Sequence, residues 1–596
     1  TRSPTWSQDG DHLYFLGSTN LGLDTGWLDM TSYGRPTTYG LYAAVLDADG
    51  ESPLLPRSSE EPTDDGAGES ADAENGENGD ADVQVDLDGL GKRIVSLGVS
   101  KQIYSDLTAG PDGHLFYLHE PAMEGETVLK RYSFAERSST DFLEGVQRYH
   151  VSHDRKNLLY RAGPTWGVVS TSGSPSAGEG SLDLGLKARI TPPSEWEQIY
   201  REAWRFQRDY FYVENLHGAD WPAVYQRYES WLDHAQHRAD VNYVLDVMGG
   251  EVSVGHSYTG GGDMPDVDRV PVGLLGADFE AGEGYYRFAR IFEGEPWTDA
   301  AGPLAAPGVD VEEGDYLIAV NGEEVTTDDN PYAALEGTAG RQVILTVSDS
   351  PSADDAREVT VVPTDSESEL RRIAWIEQNR ETVDSLSDGR IGYVYIPDTG
   401  GGGYERFTRN YFSQQDKQGM VIDERFNGGG SAADYMVNVM SRQLHGYFSN
   451  PVGDKKPFTS PGAGVWGPKV MIINEMAGSG GDYLPYLFRE MDIGPLVGTR
   501  TWGGLVGIWG TPALVDGGRI TAPRGGYFTP DGEWAIEGEG VAPDIEVEMT
   551  PRLVEQGQDP QLRRAVEEAV RLLETEGVQL RDQPPAPNRV ERPESE

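Results

Sequence analysis

The segment from Ile472 to Asp482 combines an apolar run, a glycine-rich bend and a polar residue of the kind that begins helices. This order predicts a buried β-strand that enters a tight turn, followed by a helix that begins near Asp482. The turn contains Gly478, Ser479 and Gly480. A serine at such a place lies at a helix N-terminus, where free backbone N–H groups and the helix dipole favour a developing oxyanion.

The nearest general motif is the Gly-x-Ser-x-Gly nucleophile elbow, although Ala477 replaces its first glycine. Enzymes with that elbow order their catalytic residues as serine, acid and then histidine. No histidine follows Ser479 in this chain. A base that activates Ser479 must therefore come from upstream, and the α/β-hydrolase interpretation fails on order alone.

Among the ten histidines, His256 has the most suggestive surroundings. Gly249, Gly250 and Gly255 precede it and residues 260–262 are all glycine. Glycines on both sides allow a backbone or a substrate to approach the ring closely. A single histidine is more often structural than catalytic, but these glycines and the downstream serine turn favour His256 as a general base.

A third glycine-rich turn follows the short apolar strand Met420–Asp423 and contains Asn427, Gly428, Gly429 and Gly430. Three successive glycines after a strand expose backbone N–H groups, which suits an oxyanion hole. Alone, the turn would be explained as a tight connection between a strand and a helix. Three such turns in one region argue for acyl-transfer chemistry.

Five motifs occur in an order that resembles the C-terminal half of the tricorn proteases, which are tail-specific (carboxyl-terminal-processing) serine peptidases. The resemblance extends from about Pro192 to Gln556. Its motifs are Val254–Tyr258, Ser387–Val394, Val421–Asp423 with Asn427–Gly430, Gly478–Asp482 and Glu537–Asp544.

The resemblance implies that Ser479 is the nucleophile, that His256 is the base and that Glu537 is the carboxylate behind the histidine. It also implies that the N–H groups of Gly428 and Gly480 form the oxyanion hole. One position departs from the family, because the tricorn proteases have a relay serine where this chain has Gly255. Glu537 could therefore reach the imidazole directly, through water or through Ser257. The alternative is that Glu537 is only a solvated surface charge, as a single glutamate in so acidic a chain usually is.

Charge excludes several classes of partner. The chain has 99 Asp and Glu against 48 Lys and Arg, a net charge of −51, and only nine of its cations are lysine. Such a surface repels nucleic acid and anionic membranes, and it resembles that of proteins adapted to high internal salt. The alternative is an acidic cleft that collects basic peptides.

Other reaction classes are excluded by residues that the chain lacks. There is no cysteine, so a thiol protease and a disulfide scaffold are excluded. No cluster of metal-ligand spacing occurs and no run of apolar residues is long enough to span a membrane, so we expect no metal, no cofactor and no membrane segment.

The fold class that we expect is a multidomain α+β chain. Its parts are the C-terminal blades of a β-propeller (1–185) with a disordered acidic loop (58–81), a helical domain that carries the histidine (186–262), a PDZ-like domain (263–363), an α/β crotonase-like serine peptidase core (364–557), and a C-terminal helix with a disordered tail (558–596). The propeller assignment rests on a weak repeat of polar turns and aromatic strands at Asp9–Phe15, Asp112–Leu118 and Asp154–Tyr160.

Local signals predict where several helices begin. Ser194–Glu197 forms a capping box, Asp220 and Asp240 each open a helix, and further helices are expected near Glu367–Asp384 and Asp559–Glu576. Residues 314–322 are similar to a strand and turn of PDZ domains. Gly273, Leu274, Leu275 and Gly276 could then form a loop that binds a peptide C-terminus, unless the domain is a degenerate PDZ that only holds the catalytic parts together.

These features predict a serine-type peptidase that hydrolyses oligopeptides or unfolded protein chains through an acyl-enzyme. The rival hypotheses are a non-catalytic propeller and PDZ scaffold that binds peptides, and a crotonase-like acyl-CoA enzyme. The family resemblance implies a homo-oligomer, specifically a hexamer, and a cytoplasmic location. A periplasmic location stays open, because the chain begins at Thr1 without a leader and the resemblance implies further propeller residues before it.

Overall fold

The computed structural model describes residues 1–20, 36–54, 84–111, 113–121, 125–298, 300–453, 456–587 and 589–590. The predicted acidic loop 58–81 and the last residues of the predicted tail lie outside this range. The described residues form two compact units, Thr1–Arg189 and Ile190–Glu596. The division falls close to the boundary that the sequence suggests at residue 185.

The first unit consists of three antiparallel sheets. The first sheet contains β1 (Arg2–Trp6), β2 (His12–Gly17), β3 (Gly40–Val45) and β4 (Ile94–Ser96). The second contains β5 (Ile103–Ala109), β6 (His114–Glu120), β7 (Val128–Ser133) and β8 (Ser138–Glu144). The third contains β9 (Arg148–Val151), β10 (Asn157–Ala162) and β11 (Thr165–Ser170).

Alternation along β6 explains how these sheets pack. Leu115 and Tyr117 are buried with Leu16 of the first sheet, whereas Phe116 and Leu118 are buried with residues of the third. Successive side chains of a strand point to opposite faces, so one central sheet contributes to two hydrophobic cores. The sheets therefore stack face to face, but the described residues do not form a closed propeller.

The second unit begins with a helical layer that contains α1 (Pro192–Tyr210), α2 (Trp221–Glu229) and α3 (Arg238–Gly250). Their apolar faces share one core around Tyr200 and Leu245. Short 3-10 turns occur at Leu216–Gly218 and Leu232–His234. After α3 the chain forms β12 (Thr259–Gly260), which pairs with β26 (Arg519–Ile520) and joins the layer to the C-terminal part of the unit.

A six-stranded antiparallel sheet follows, in the order β13-β14-β15-β17-β18, with β16 paired to β15. Its strands are β13 (Ala277–Ala281), β14 (Tyr286–Ile291), β15 (Tyr316–Val320), β16 (Glu323–Glu324), β17 (Val343–Ser348) and β18 (Arg357–Val361). Phe288, Leu317 and Leu345 lie at the centre of its own core. Two 3-10 turns, Pro303–Ala305 and Ala333–Leu335, cover this sheet's core.

The C-terminal region is built on a parallel sheet in the order β19-β20-β23-β24-β28. These strands are β19 (Ile391–Tyr395), β20 (Gly419–Asp423), β23 (Lys469–Ile473), β24 (Leu496–Gly498) and β28 (Ile545–Glu546). All residues of the first three are buried, as expected for a parallel sheet covered on both faces. Two small antiparallel pairs lie outside it, β21 (Gly446–Phe448) with β22 (Phe458–Ser460) and β25 (Ile508–Trp509) with β27 (Ala522–Pro523).

Helices cover the parallel sheet. α4 (Ser368–Leu386) and α9 (Pro560–Glu576) pack on one face with Val421, Ile472 and Val497. The remaining helices are α5 (Gly401–Phe412), α6 (Ala433–Met440), α7 (Gly480–Glu490) and α8 (Pro551–Glu555). In open parallel sheets, ligands bind beyond the carboxyl ends of the strands. The turns after β20 and β23 lie at that edge and contain the predicted glycine-rich motifs.

Candidate active site

Ser479 lies at the junction of the turn after β23 and the first residue of α7. Its φ is 58° and its ψ is −115°, a conformation that is strained for a residue with a side chain. The backbone N–H of Ser479 donates to Oδ2 of Asp482 at 2.9 Å, which holds this sharp strand-to-helix bend. The same kind of bend exposes the nucleophile in other hydrolases.

Glycines around Ser479 allow neighbouring turns to meet without side chains. Gly429 has a φ of 85°, and a Cβ at that residue would lie 2.7 Å from Cβ and 3.1 Å from Oγ of Ser479. A Cβ at Gly480 would overlap Oγ1 of Thr399 and lie 2.5 Å from the carbonyl oxygen of Gly430. The turn after β20 therefore lies directly against the serine.

The two backbone N–H groups predicted to form the oxyanion hole differ in whether they already donate a hydrogen bond. The Gly480 N–H donates no hydrogen bond to any of the described residues and stays available at the start of α7. The Gly428 N–H instead donates to the carbonyl of Pro397 at 2.9 Å. Residues after β19 run beside this turn, with Thr399 bridged to Gly430, so the Gly428 N–H faces a neighbouring carbonyl rather than the cleft.

His256 follows α3 and is buried. Its ring centroid lies 5.4 Å from that of Trp502, and its carbonyl accepts a 2.5 Å hydrogen bond from the Thr521 hydroxyl. Burial lowers the pKa of the imidazole below its ordinary value of 6.5, while the charges of Glu537 and Asp482 and a contact with the Val506 backbone oppose this shift. A neutral, buried imidazole is suited to accept a proton from a hydroxyl.

Glu537 supports the histidine turn through the backbone. Its Oε1 accepts from the Gly255 N–H at 2.9 Å, and its Oε2 accepts from the N–H groups of Leu505 and Val506, both at 2.7 Å. Nδ1 of His256 has no hydrogen-bond partner among the described residues. The sequence left three possible links between Glu537 and the imidazole: direct, through water or through Ser257. The described residues show no direct hydrogen bond between the two side chains.

Ser257 does not link them either, which corrects its expected place as a relay. Its hydroxyl accepts from Nε2 of Gln207 at 3.1 Å, so its side chain points into the helical layer. The same amide nitrogen donates to the carbonyl of Thr521 at 2.9 Å. Ser257 thus helps to attach the histidine turn to α1.

Asp482 is a residue of the site that sequence reasoning treated only as a helix start. It is fully buried, and besides the Ser479 N–H it accepts from the Thr501 hydroxyl at 2.5 Å and from the N–H groups of Gly503 and Gly504 at 2.7 and 3.0 Å. Burial nevertheless raises its pKa. The signal was present in the sequence, since an acidic residue three positions after an N-cap serine forms a capping box.

The predicted peptide-binding loop, residues 273–276, comes directly before β13. Three of its N–H groups are occupied: Gly273 donates to the Leu335 carbonyl at 2.8 Å, Leu274 to that of Thr364 at 2.7 Å, and Gly276 to Oε1 of Glu367 at 2.8 Å. A carboxylate from the chain itself therefore takes the place predicted for a peptide C-terminus. This arrangement favours the degenerate PDZ alternative.

No group of three or more His, Cys, Asp and Glu that could hold a metal ion occurs among the described residues. Within the same range no helix is long and apolar enough to cross a membrane.

Three family models match this chain. They are the Tricorn protease C1 domain over residues 192–250, the Tricorn protease PDZ domain over 273–366 and Peptidase family S41 over 390–547. Tricorn protease homolog 1 of Streptomyces coelicolor is 33% identical over 601 residues, which cover 96% of this chain and 55% of the relative. The chain belongs to the tricorn protease family.

Solved and curated relatives agree with this placement. The crystal structure of the tricorn protease matches with a TM-score of 0.83 and 26% identity, over 96% of this chain and 55% of that one. The Tricorn protease of Thermoplasma volcanium is 26% identical over 596 residues, 97% of this chain and 55% of the relative. The chain thus spans about half the length of these relatives. The predicted family is confirmed, and the second unit has the tricorn fold with its peptidase and PDZ domains.

Proposed function

We propose that this chain carries the peptidase site of a tricorn-like serine protease that cleaves oligopeptides or unfolded protein chains. The observation that supports it best is Ser479, which lies on a strained bend at the start of α7 beside the unpaired N–H of Gly480. Backbone N–H donors aimed at a tetrahedral oxyanion contribute a few kcal/mol each. The binding-scaffold alternative gives no reason for this geometry.

In the proposed reaction, Oγ of Ser479 attacks the carbonyl carbon of the scissile peptide while His256 accepts its proton. The carbonyl oxygen becomes negative and is stabilised by the Gly480 N–H and the N-terminus of α7. His256 then returns the proton to the leaving amine, and an acyl-enzyme is left on Ser479. Water, deprotonated by the same histidine, releases the acid product.

Glu537 has a supporting part in this proposal. Its two oxygens hold Gly255, Leu505 and Val506 together, so that the turn carrying His256 is fixed against the segment that follows Trp502. Its charge also favours the imidazolium that forms when His256 accepts the proton. Gly428 would join the oxyanion hole only if its N–H rotated away from Pro397.

The proposal extends to the whole assembly by family resemblance. We infer that the three sheets of the first unit are blades of a β-propeller, that the core is crotonase-like, and that the protein is a cytoplasmic homo-oligomer, specifically a hexamer. Stacked antiparallel sheets with shared cores support the first of these inferences.

A fluorophosphonate probe tests the proposed nucleophile. Wild-type protein should be labelled covalently and should hydrolyse a fluorogenic peptide, whereas Ser479→Ala should do neither. Ser413→Ala, at the end of α5, is the matched control and should behave as wild type. Full labelling of Ser479→Ala would overturn the assignment.

The histidine is tested by steady-state hydrolysis of the same fluorogenic peptide. His256→Ala should lower kcat by several orders of magnitude with little change in KM, because a general base acts only in the transition state. His445→Ala, which alters a histidine beside β21, should leave both constants unchanged. The reverse pattern would mean that another histidine is the base.

A further inference from the structure

Trp502 lies between the turn of the candidate base and the turn of the candidate nucleophile. Its backbone N–H donates to the Ala477 carbonyl at 2.9 Å. A Cβ at Gly255 would lie 3.0 Å from Cη2 of the indole, and a Cβ at Gly478 would lie 2.5 Å from Cε3. The indole thus fills the space beside both turns, which is open only because residues 255 and 478 are glycines.

The same indole contacts the histidine ring. The ring centroids of Trp502 and His256 are 5.4 Å apart with an interplanar angle of 67°, an edge-to-face arrangement. Tyr258 makes a similar contact at 5.8 Å and 81°. Nδ1 of His256 has no hydrogen-bond partner among the described residues, so these aromatic contacts, together with the contact between the imidazole and the Val506 backbone, restrain the ring.

The surroundings of Gly255 explain why the indole can lie beside the imidazole. Glu537 accepts from the Gly255 N–H, and the space into which a side chain at 255 would project is bounded by the indole of Trp502 and by Cα of Gly504, each 3.0 Å from a Cβ at that residue. A hydroxyl at 255 could not orient the imidazole unless Trp502 moved. Residue 255 thus has no side chain that could bond to the imidazole, and the indole of Trp502 packs beside the ring.

We propose that Trp502 is a positioning residue for His256: its indole fixes the imidazole against the Ser479 turn in place of a side chain at residue 255. The kinetic part of this inference rests on the proposed function. The structural part, that Trp502 buries and orients the imidazole, does not.

The structural part is tested by titration of the His256 ring signals by NMR in the Ser479→Ala background, which needs no activity. The groups that face the ring are Glu537, Asp482 and Tyr258, and all three are kept. Trp502→Leu should admit water, so that the pKa of His256 rises towards its ordinary value. Trp231→Leu is the control, because Trp231 and Trp502 are each 41% exposed but Trp231 lies in the helical layer. An unchanged midpoint in Trp502→Leu would overturn the proposal.

The kinetic part is tested with two variants of Trp502. Trp502→Leu should lower kcat by about tenfold to hundredfold with KM within about twofold, since small displacements of a catalytic group affect mainly the transition state. Trp502→Phe keeps an aromatic edge beside the imidazole and should recover most of kcat. This recovery would distinguish a positioning role of Trp502 from a general loss of folding in Trp502→Leu. If Phe and Leu are equally harmful, or if KM alone changes, Trp502 does not position the base.

A double mutant tests the shared space. Gly255→Ser should lower kcat, because its Cβ would press on the indole. Gly255→Ser combined with Trp502→Leu should be more active than the product of the two single effects, since removal of the indole relieves its clash with the serine and the serine fills part of the space that the indole leaves. Effects on kcat that simply multiply would show that the two residues do not compete for the same space.

Retained labelling in Ser479→Ala would instead refute the proposed function and leave the titration result standing.

Discussion

Glu424 is a buried carboxyl group that the proposed mechanism does not use. It lies in the turn after β20, is fully buried, and neither of its oxygens has a hydrogen-bond partner among the described residues. Burial raises its pKa well above the ordinary 4.5, and the charges of Asp482 and Asp423 raise it further. The folded protein therefore favours the protonated, neutral form of this carboxyl group more than the unfolded chain does.

This state has a consequence for stability. The unfolded chain releases the Glu424 proton near pH 4.5, whereas the folded chain retains it to a higher pH, so the free energy of unfolding decreases as pH rises above 4.5. The loss is about 1.4 kcal/mol per pH unit until the folded-state pKa is reached. Glu424→Gln cannot ionise and should be more stable than wild type at pH 8, with a smaller difference at pH 5.

Thermal unfolding midpoints at the two pH values measure this effect. Glu381→Gln makes the same change at an exposed position of α4 and should shift neither midpoint. Equal destabilisation of Glu424→Gln at both pH values would show that the carboxyl group is ionised in the folded protein.

The order of the motifs in the sequence is enough to predict that the turns of Ser479, His256 and Glu537 belong to one site. It is not enough to predict which atoms these turns contact. Which carbonyl pairs with the Gly428 N–H, or which N–H groups surround Glu537, depends on how separate segments pack. The position of Trp502 beside His256 could not be predicted from the sequence, because a tryptophan in a loop belongs to no periodic pattern that indicates its neighbours. The catalytic roles themselves stay predictions until the variants are measured.

At the scale of elements, α4 connects the PDZ-like sheet to the parallel sheet. Glu367, just before α4, accepts from the Gly276 N–H and pairs with Arg371 of the first turn at 2.7 Å. Arg371 also pairs with Asp278 of β13 at 2.7 Å. The carboxylate-binding loop is thus part of a junction between α4 and β13.

Glu367→Ala should therefore weaken this junction. It leaves the Gly276 N–H without its acceptor and Arg371 without one of its carboxylates, a loss of about 1–3 kcal/mol for a buried group. Amide hydrogen exchange of Gly276 and β13 should become faster. Glu369→Ala is the matched control, because Glu369 lies in the same turn but pairs with Arg406 rather than with the loop. Unchanged exchange in Glu367→Ala would mean that α4 does not support the loop.

The helix boundaries show what local signals can predict. The sequence predicts helix starts at Asp220 and Asp559, and each of them caps its helix by accepting from an N–H three residues later. α1 instead begins at Pro192, before the expected box at Ser194, because proline suits the first helical position. α3 begins at Arg238 after the cap His237, so Asp240 is its third residue rather than its cap. An acidic residue fits either position, and only the fold decides between them.

At the scale of the whole molecule, charge dominates. A net charge of −51 makes the folded chain repel itself, since folding brings carboxylates closer together than they are in the unfolded chain. Exposed ion pairs such as Arg205–Glu202 and Arg380–Glu377 oppose this repulsion, but each contributes only about 0–1 kcal/mol. Salt screens both effects, and with so many unmatched carboxylates the loss of repulsion should be the larger.

We therefore expect NaCl to stabilise the protein. Screening shortens the Debye length from about 10 Å at 0.1 M to about 3 Å at 1 M, so the unfolding midpoint should rise by about 5 °C or more over this range. Sucrose raises stability by exclusion from the surface without screening, and serves as the comparison. If screening is the cause, the effect of NaCl should be steepest below about 0.5 M and level off as the Debye length falls below the spacing of surface charges. A midpoint that falls with NaCl, or rises only in proportion to cosolute as it does with sucrose, would show that charge repulsion does not limit the stability of this chain.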